Sequence, residues 1–176
     1  QYSLGGHSIC EADVITDLGV IVDPILKYEA HINKLVGKGY SRVGLLYKGF
    51  ASRSPRVLKQ AYITYIRPVL EYASSVWSPH LIKHIDAIER VQKKFTKRIR
   101  TISDLSYPER LAALDLEPLE LRRLKTDLIL YYKCMNGLVA LPYADYFNVS
   151  NVISQTRTGG NRLIQTYCST NQFQHD

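Results

Sequence analysis

A mainly α-helical bundle, preceded by a short N-terminal β-hairpin and followed by an irregular C-terminal segment, is the fold this sequence predicts. Three observations carry that expectation. From residue 27 to about 140, apolar residues recur every three or four positions, the period of a helix packed through one face. Helix-start and helix-stop residues punctuate the same stretch. The first 26 residues instead hold short apolar runs broken by glycine and acids, and residues 141–176 turn to Asn, Ser, Thr, Gln and Gly without periodicity. The expected divisions are therefore 1–26, 27–140 and 141–176.

Taken in order, YSLGG reads as a strand entering a glycine turn, and DLGVIVD as a compact apolar run bounded by acids; together they predict a small hairpin or ribbon. After Pro24 the period changes. Ile32, Leu35, Val36, Val43, Leu46 and Phe50 fall at helical spacing, with Gly37, Gly39 and Gly44 among them. Glycine lowers helix propensity, so close backbone packing or a break is expected there. Ser54-Pro55 fits an N-cap followed by proline at the first helical position, and Ser78-Pro79 repeats the pattern. Pro68 lies between them and is expected to kink or divide that segment. Tyr62, Tyr65, Tyr72 and Trp77 are assigned to the core. Ser106 with Glu109 has the capping-box spacing. The last helix places Leu121, Leu124, Leu128, Tyr131 and Met135 on one face and stops at Asn136-Gly137.

The chain has 176 residues, long enough for one domain with a real core, and 45% of them are hydrophobic, which argues against wholesale disorder. Its net charge of +7 bears on partners rather than fold, with nucleic acid and anionic membrane the usual classes. Cys10, Cys134 and Cys168 are far apart and form neither a disulfide framework nor a metal-ligand spacing, so a reduced, intracellular (nuclear or cytoplasmic) setting is expected. No leader opens the chain, and no apolar run approaches the ~18 residues of a bilayer span. The Asn148 sequon is accordingly expected to stay unmodified, and no membrane partner is expected. The start at Gln1, without an initiator Met, suggests a fragment.

The charge concentrates in RVQKKFTKRIR, residues 90–100, with six basic side chains and no acid. Leu81, Ile85, Ile88, Phe95 and Ile99 are expected to line one face of a single helix, which at about 100° per residue puts Arg90, Lys93, Lys94, Lys97 and Arg100 opposite. A weaker basic row is expected at Lys34, Lys38 and Arg42. Cations that reach phosphates release counterions and give salt-dependent, mostly sequence-independent affinity. A solvated helix that happens to be basic is the plain alternative. An interfacial membrane helix fits less well, because it needs bulky apolar residues exposed and this seam is needed for packing.

Catalytic chemistry finds little support. His80 and His84 stand four apart, but the glutamate of a zincin helix and a third ligand are missing. Tyr143-Ala144-Asp145 is similar to the Tyr-x-Asp-Asp turn of polymerases, yet Tyr146 follows, and a lone carboxylate cannot assemble a two-metal site. No P-loop, nucleophile elbow or dinucleotide fingerprint is present.

The order of DLGVIVDPILKYEAHI, YIRPVLEYASSVWSP, IERVQKKFTKRI and YPERLAALDLEPLELRRLKTDLILYYK resembles the region downstream of the polymerase active site in reverse transcriptases of non-LTR (LINE-type) retrotransposons, particularly jockey-like and CR1-like elements. The resemblance spans Tyr2 to about Leu163, and the TRTGGNRL segment resembles a stretch near the end of those proteins. It implies that the DLGV segment borders the palm and that the helices form a thumb-like bundle gripping the template–primer duplex. The fingers, and the palm with its magnesium-binding aspartates, would precede Gln1, so both ends read as truncated and no cofactor is assigned to this chain. The expectation is an RNA-directed DNA polymerase fragment, inactive alone, that contacts RNA, RNA–DNA or DNA duplexes through Arg90, Lys93, Lys94, Lys97, Arg98 and Arg100, with the missing palm and fingers as partners. The alternative is a non-catalytic structural or protein-interaction helical domain derived from a retroelement.

Overall fold

The computed structural model describes residues 12–141 in full, together with the backbone of residues 2–4, 7–9, 149–150 and 162–163. The chain divides into two compact units, Gln1–Thr126 and Asp127–Asp176.

The N-terminal region forms two local hairpins rather than one ribbon joining YSLGG to DLGVIVD. β1 (Tyr2–Leu4) pairs antiparallel with β2 (His7–Ile9), and β3 (Ile15–Asp17) pairs antiparallel with β4 (Val20–Val22). The reason is local. Leu18 and Gly19 supply a two-residue turn in which both φ angles are positive, 44° and 88°, the backbone that matches strand twist in tight hairpins. Asp23 closes the region. Its carboxylate accepts the backbone N–H groups of Ile25, Lys27 and Tyr28 at 3.1, 3.1 and 2.7 Å, just ahead of α1 (Glu29–Gly49). Desolvation opposes ionisation here, but those N–H donors hold the Asp23 carboxyl below its ordinary range.

α1 runs unbroken through its glycines. Gly39 explains one of them: a Cβ there would lie 2.9 Å from Leu70 Cδ2 and 3.0 Å from Val91 Cγ1, whereas Gly37 and Gly44 face open space. Close approach is thus required at Gly39 alone. α1 packs on α5 (Ile82–Lys97) in parallel, with Glu29 beside Lys83 at one end and Tyr47 beside Phe95 at the other.

Pro68 does not divide its segment. α2 (Pro55–Ala61) passes into one π-helical turn, Tyr62–Ile66, and then into α3 (Arg67–Glu71). A proline ring clashes with the carbonyl four residues back, and the wider π turn immediately before Arg67 accommodates it. Ser54-Pro55 does open α2. Ser78-Pro79 does not open a helix: Ser78 closes α4 (Ser74–Trp77), and α5 begins three residues beyond Pro79. A residue before proline is driven to extended backbone, as the Ser78 ψ of 118° shows, so the pair ends one helix instead of starting the next. The capping box at Ser106 and Glu109 opens α6 (Tyr107–Leu114), with Glu109 Oε2 accepting the Ser106 N–H at 2.8 Å.

The first unit's core joins Val20 of β4 and Ile32, Leu35, Val43, Leu46 and Tyr47 of α1 to Leu58, Tyr62, Ile66 and Leu70. Trp77, Ile88, Val91, Phe95, Ile99, Leu111, Leu114 and Leu119 complete it. Tyr62 stacks on Phe95 with centroids 4.5 Å apart. Of the four aromatics assigned to the core, Tyr62 and Trp77 are there, but Tyr65 and Tyr72 are each 56% exposed. Tyr72 points outward to donate its hydroxyl to the Leu18 carbonyl at 2.9 Å, tying down the hairpin tip, and the Tyr65 ring lies 6.4 Å from Phe50 on the outside.

α7 (Leu119–Met135) continues into the second unit and stops at Gly137 (φ 63°), where the Leu138 N–H reaches the Lys133 carbonyl at 2.9 Å. Its row of leucines is not a packing face: Leu121, Leu124 and Leu128 are exposed. In the second unit β5 (Val149–Ser150) pairs antiparallel with β6 (Arg162–Leu163), inside the segment expected to be irregular. Asp145 and the Asn148 sequon lie outside the described residues. Among the described residues, no helix is long and apolar enough to cross a membrane.

Candidate nucleic-acid interface

The interface is built on α5. Its buried side comprises His84, Ile88, Glu89, Val91, Gln92, Phe95 and Thr96, an arc centred opposite Arg90 and Lys97. Four of those inward residues, His84, Glu89, Gln92 and Thr96, are polar, and a shared network satisfies Glu89 and Gln92. Tyr62 Oη donates to Gln92 Oε1 at 2.6 Å. Gln92 Nε2 donates to the Glu117 carbonyl at 3.0 Å and to Tyr107 Oη at 3.1 Å. The Tyr107 hydroxyl donates to Glu89 Oε1, and Glu89 Oε2 accepts the Leu119 N–H at 2.9 Å, placing a carboxylate at the N-terminus of α7. Thr96 Oγ1 accepts from Arg110 Nε at 3.1 Å. Burial, then the hydrogen bond and charge of Glu89, push the Tyr107 hydroxyl far above its usual range, and burial does the same to Tyr62, so both remain neutral donors.

The outward side is cationic. Arg90, Lys94 and Lys97 are exposed and Lys93 is half-buried. α5 ends at Lys97, so Arg98 is its C-cap; Ile99 and Arg100 lie beyond the helix, with Arg100 opening a 3-10 turn, Arg100–Ile102. The expected single helix through Arg100 is thereby shortened, because the chain turns to bury Ile99. Arg98 and Arg100 are nevertheless exposed. Among the described residues, no ion pair involves any of the six cations, although Lys59, Lys83, Arg122 and Lys125 all have carboxylate partners elsewhere.

Aromatic rings support part of the strip. Lys93 Nζ lies 5.2 Å from the Tyr107 ring centroid, Lys94 Nζ 4.8 Å from Tyr40, and Arg98 Cζ 4.3 Å from Tyr47. Arg53 adds a cation at 5.9 Å from the same Tyr47 ring and is held by the Tyr47 carbonyl at 2.9 Å. Burial, opposed by Arg98 and Arg53, pushes the Tyr47 hydroxyl up to about 12, and it donates to the Phe95 carbonyl at 2.9 Å. Lys97 Nζ reaches the Ser103 carbonyl at 2.7 Å. Among the described residues, Arg90 and Arg100 make no such contact. Tyr40, Tyr47, Arg53 and Tyr107 belong to this surface and were not foreseen; they come from α1, its exit loop and α6, and no local spacing connects them to residues 90–100.

The second row, Lys34, Lys38 and Arg42, is exposed on α1. Tyr40 is displaced about 160° around the helix from Lys38, so this row and the α5 strip occupy different flanks of α1. Arg42 donates to the Tyr65 carbonyl at 2.5 Å.

His80 and His84 do not share a helical face, since His80 precedes α5 and His84 is buried within it. Among the described residues, no group of three or more His, Cys, Asp or Glu side chains is placed to hold a metal.

No family model matches the chain, and no solved structure matches it. It is similar to an uncharacterized Caenorhabditis elegans protein, 23% identical over 142 residues that cover 79% of this chain and 72% of that one.

Proposed function

We propose that this chain grips the sugar–phosphate backbone of a nucleic-acid duplex, as a thumb-like module from a non-LTR retrotransposon reverse transcriptase. The observation that carries the reading is the strip of residues 90–100: six cations beside one another in sequence, none neutralised by a carboxylate among the described residues, four on α5 with its opposite side locked into the core, one at its C-cap and one just beyond. Such a surface reads duplex shape and charge, not base edges, and suits copying of any template. Ring contacts worth about 0.5–1 kcal/mol each at exposed sites limit the side-chain freedom of Lys93, Lys94 and Arg98 before phosphate arrives. RNA–DNA hybrid is the expected ligand, with RNA and DNA duplexes related to it. Magnesium and its aspartates would belong to the palm, which together with the fingers is the proposed intramolecular partner, so this chain alone should not extend a primer.

The test is charge reversal at three exposed cations whose side chains make no hydrogen bond among the described residues: Arg90→Glu, Lys94→Glu and Arg100→Glu. Hybrid affinity should fall steeply while the helical circular dichroism stays unchanged. Undiminished binding by the folded triple variant sinks the assignment.

A second reading, a helical protein-interaction domain, is favoured by the exposed Leu121, Leu124 and Leu128 on α7. It predicts an interaction that survives high salt, because apolar anchors rather than phosphates would supply the affinity.

A further inference from the structure

Residues 98–106 join α5 to α6, and Ser103 lies in that turn. Arg100 stands three positions before it and Arg98 five, both exposed. No other serine or threonine of the chain has arginine at both positions. Arginine-directed serine/threonine kinases read that spacing, because their acidic pockets take two guanidinium groups ahead of the acceptor hydroxyl. The turn is anchored at both ends and loose between them. Ile99 is buried, and Arg110 Nη1 donates to the Leu105 carbonyl at 2.8 Å. Between those anchors the Ser103 N–H meets the Arg100 carbonyl only at 3.4 Å, and the Leu105 N–H meets the Ile102 carbonyl at 3.2 Å. Such long bonds open locally without unfolding the core. The Ser103 hydroxyl lies 3.0 Å from the Arg100 carbonyl and 3.3 Å from Asp104 Oδ1, while the Ser103 carbonyl accepts Lys97 Nζ at 2.7 Å.

We propose that Ser103 is a phosphorylation site whose phosphate turns back onto Lys97 and Arg100 and neutralises that end of the basic strip. In the transfer, Ser103 Oγ attacks the γ-phosphorus of a nucleoside triphosphate held by the kinase. The Oγ–P bond forms as the bond to the β,γ-bridging oxygen breaks, the diphosphate leaves, and the hydroxyl proton passes to the kinase's catalytic carboxylate. The product carries a charge of about −1.5 to −2 and three acceptor oxygens. Lys97 already lies against the Ser103 carbonyl, and Arg100 opens the same turn, so two cations are at hand without moving a helix. Asp104 repels the phosphate and favours its facing them. Thr101 is exposed and has Arg98 three positions before it, but Thr96 rather than a cation stands five before it. That the phosphate closes the strip to a duplex rests on the nucleic-acid reading above; the modification and the contact with Lys97 do not.

The test incubates the whole chain with ATP, magnesium and the catalytic domain of an arginine-directed serine/threonine kinase, and locates the phosphate by tandem mass spectrometry. It should fall on Ser103 and vanish in Ser103→Ala, which keeps the hybrid affinity of the unmodified chain. Phosphate on Thr101 instead, or no transfer to the chain when a free RIRTISD peptide is modified, overturns the proposal. A second readout needs no nucleic acid. Acetylation of Lys97 by acetic anhydride, relative to that of Lys34, should slow severalfold once Ser103 carries phosphate, because a paired ammonium gives up its proton less readily. An unchanged ratio overturns the contact with Lys97. Hybrid affinity of the phosphorylated chain should fall about tenfold or more, with a salt slope shallower by up to about 1.8, from two cations at about 0.9 each. Binding as tight as before phosphorylation overturns the neutralisation. If neither form binds a hybrid, the duplex reading fails, and the mass and acetylation results alone decide the Ser103 site.

Discussion

Tyr62 Oη donates a hydrogen bond to Gln92 Oε1 at 2.6 Å, and both residues are wholly buried. This bond links the π turn to the inward side of the basic helix, and through Gln92 reaches Tyr107, Glu89 and the start of α7. Removing one partner leaves the other unsatisfied in a dry site. Tyr62→Phe should therefore cost about 1–3 kcal/mol, and Gln92→Ala more, since it also opens a cavity. Urea unfolding of the two single variants and the double variant checks this: the double should lose less than the sum, with a coupling of at least about 0.5 kcal/mol.

The three glycines of α1 should behave oppositely. Gly39→Ala pushes a methyl group against Leu70 and Val91 and should destabilise by about 1–2 kcal/mol after the helix-propensity gain is subtracted. Gly37→Ala meets open space and should stabilise by up to about 1 kcal/mol. Thermal melts of both variants give the two signs, and a stabilising Gly39→Ala would contradict the parallel close packing of α1 on α5.

These positions show how much was legible in the sequence. The helical period revealed the bundle, because α1, α2, α5 and α6 each bury residues three or four apart. The glycine cluster suggested close packing without saying which glycine mattered, since that depends on Val91, more than fifty residues away. No local pattern marks Glu89 and Gln92 as inward, and only the fold shows that Tyr62, Tyr107 and the α7 terminus pair with them. Ser78-Pro79 misled because a Ser-Pro pair can end a helix as readily as start one. The cations of residues 90–100 were found by composition, but the tyrosines beneath them come from other elements. The exposed leucines of α7 were misread because periodicity identifies a face without identifying what covers it.

Leu18 holds φ 44° at the hairpin tip and is 83% exposed, a position where Asn is normally preferred. Leu18→Asn removes little packing and retains the carbonyl that Tyr72 binds. It should stabilise the domain by roughly 1 kcal/mol. Chemical denaturation measures the change, and a loss of stability would mean the leucine side chain has a packing role.

Stability should fall in two stages on acidification. Burial depresses His31, further helped by Lys34 and Lys38. Burial and then Lys83 depress His84, against the pull of Glu29. Both stay neutral in the fold while the unfolded chain gains protons, so their contribution is complete above pH 6.5 and declines as pH falls below it. The second stage comes from carboxylates held low by hydrogen-bonded partners: Glu29 by Lys83, Glu109 by Ser106 and Glu117 by Lys125. Their contribution is present above pH 4.5 and is lost as pH falls through their lower folded-state values. Urea midpoints at pH 7.5, 5.5 and 4 should decrease in that order. Nuclear magnetic resonance titration showing either imidazole protonating above pH 6.5 would contradict the first stage.

The most direct test of the central claim is the affinity of the chain for an RNA–DNA hybrid measured against salt concentration. If the strip of residues 90–100 meets phosphates, log affinity falls linearly with log salt, by about 0.9 for each phosphate neutralised, and reversing Arg90, Lys94 and Arg100 flattens the slope by up to about 2.7. A slope near zero, or one unchanged by the reversal, would contradict it.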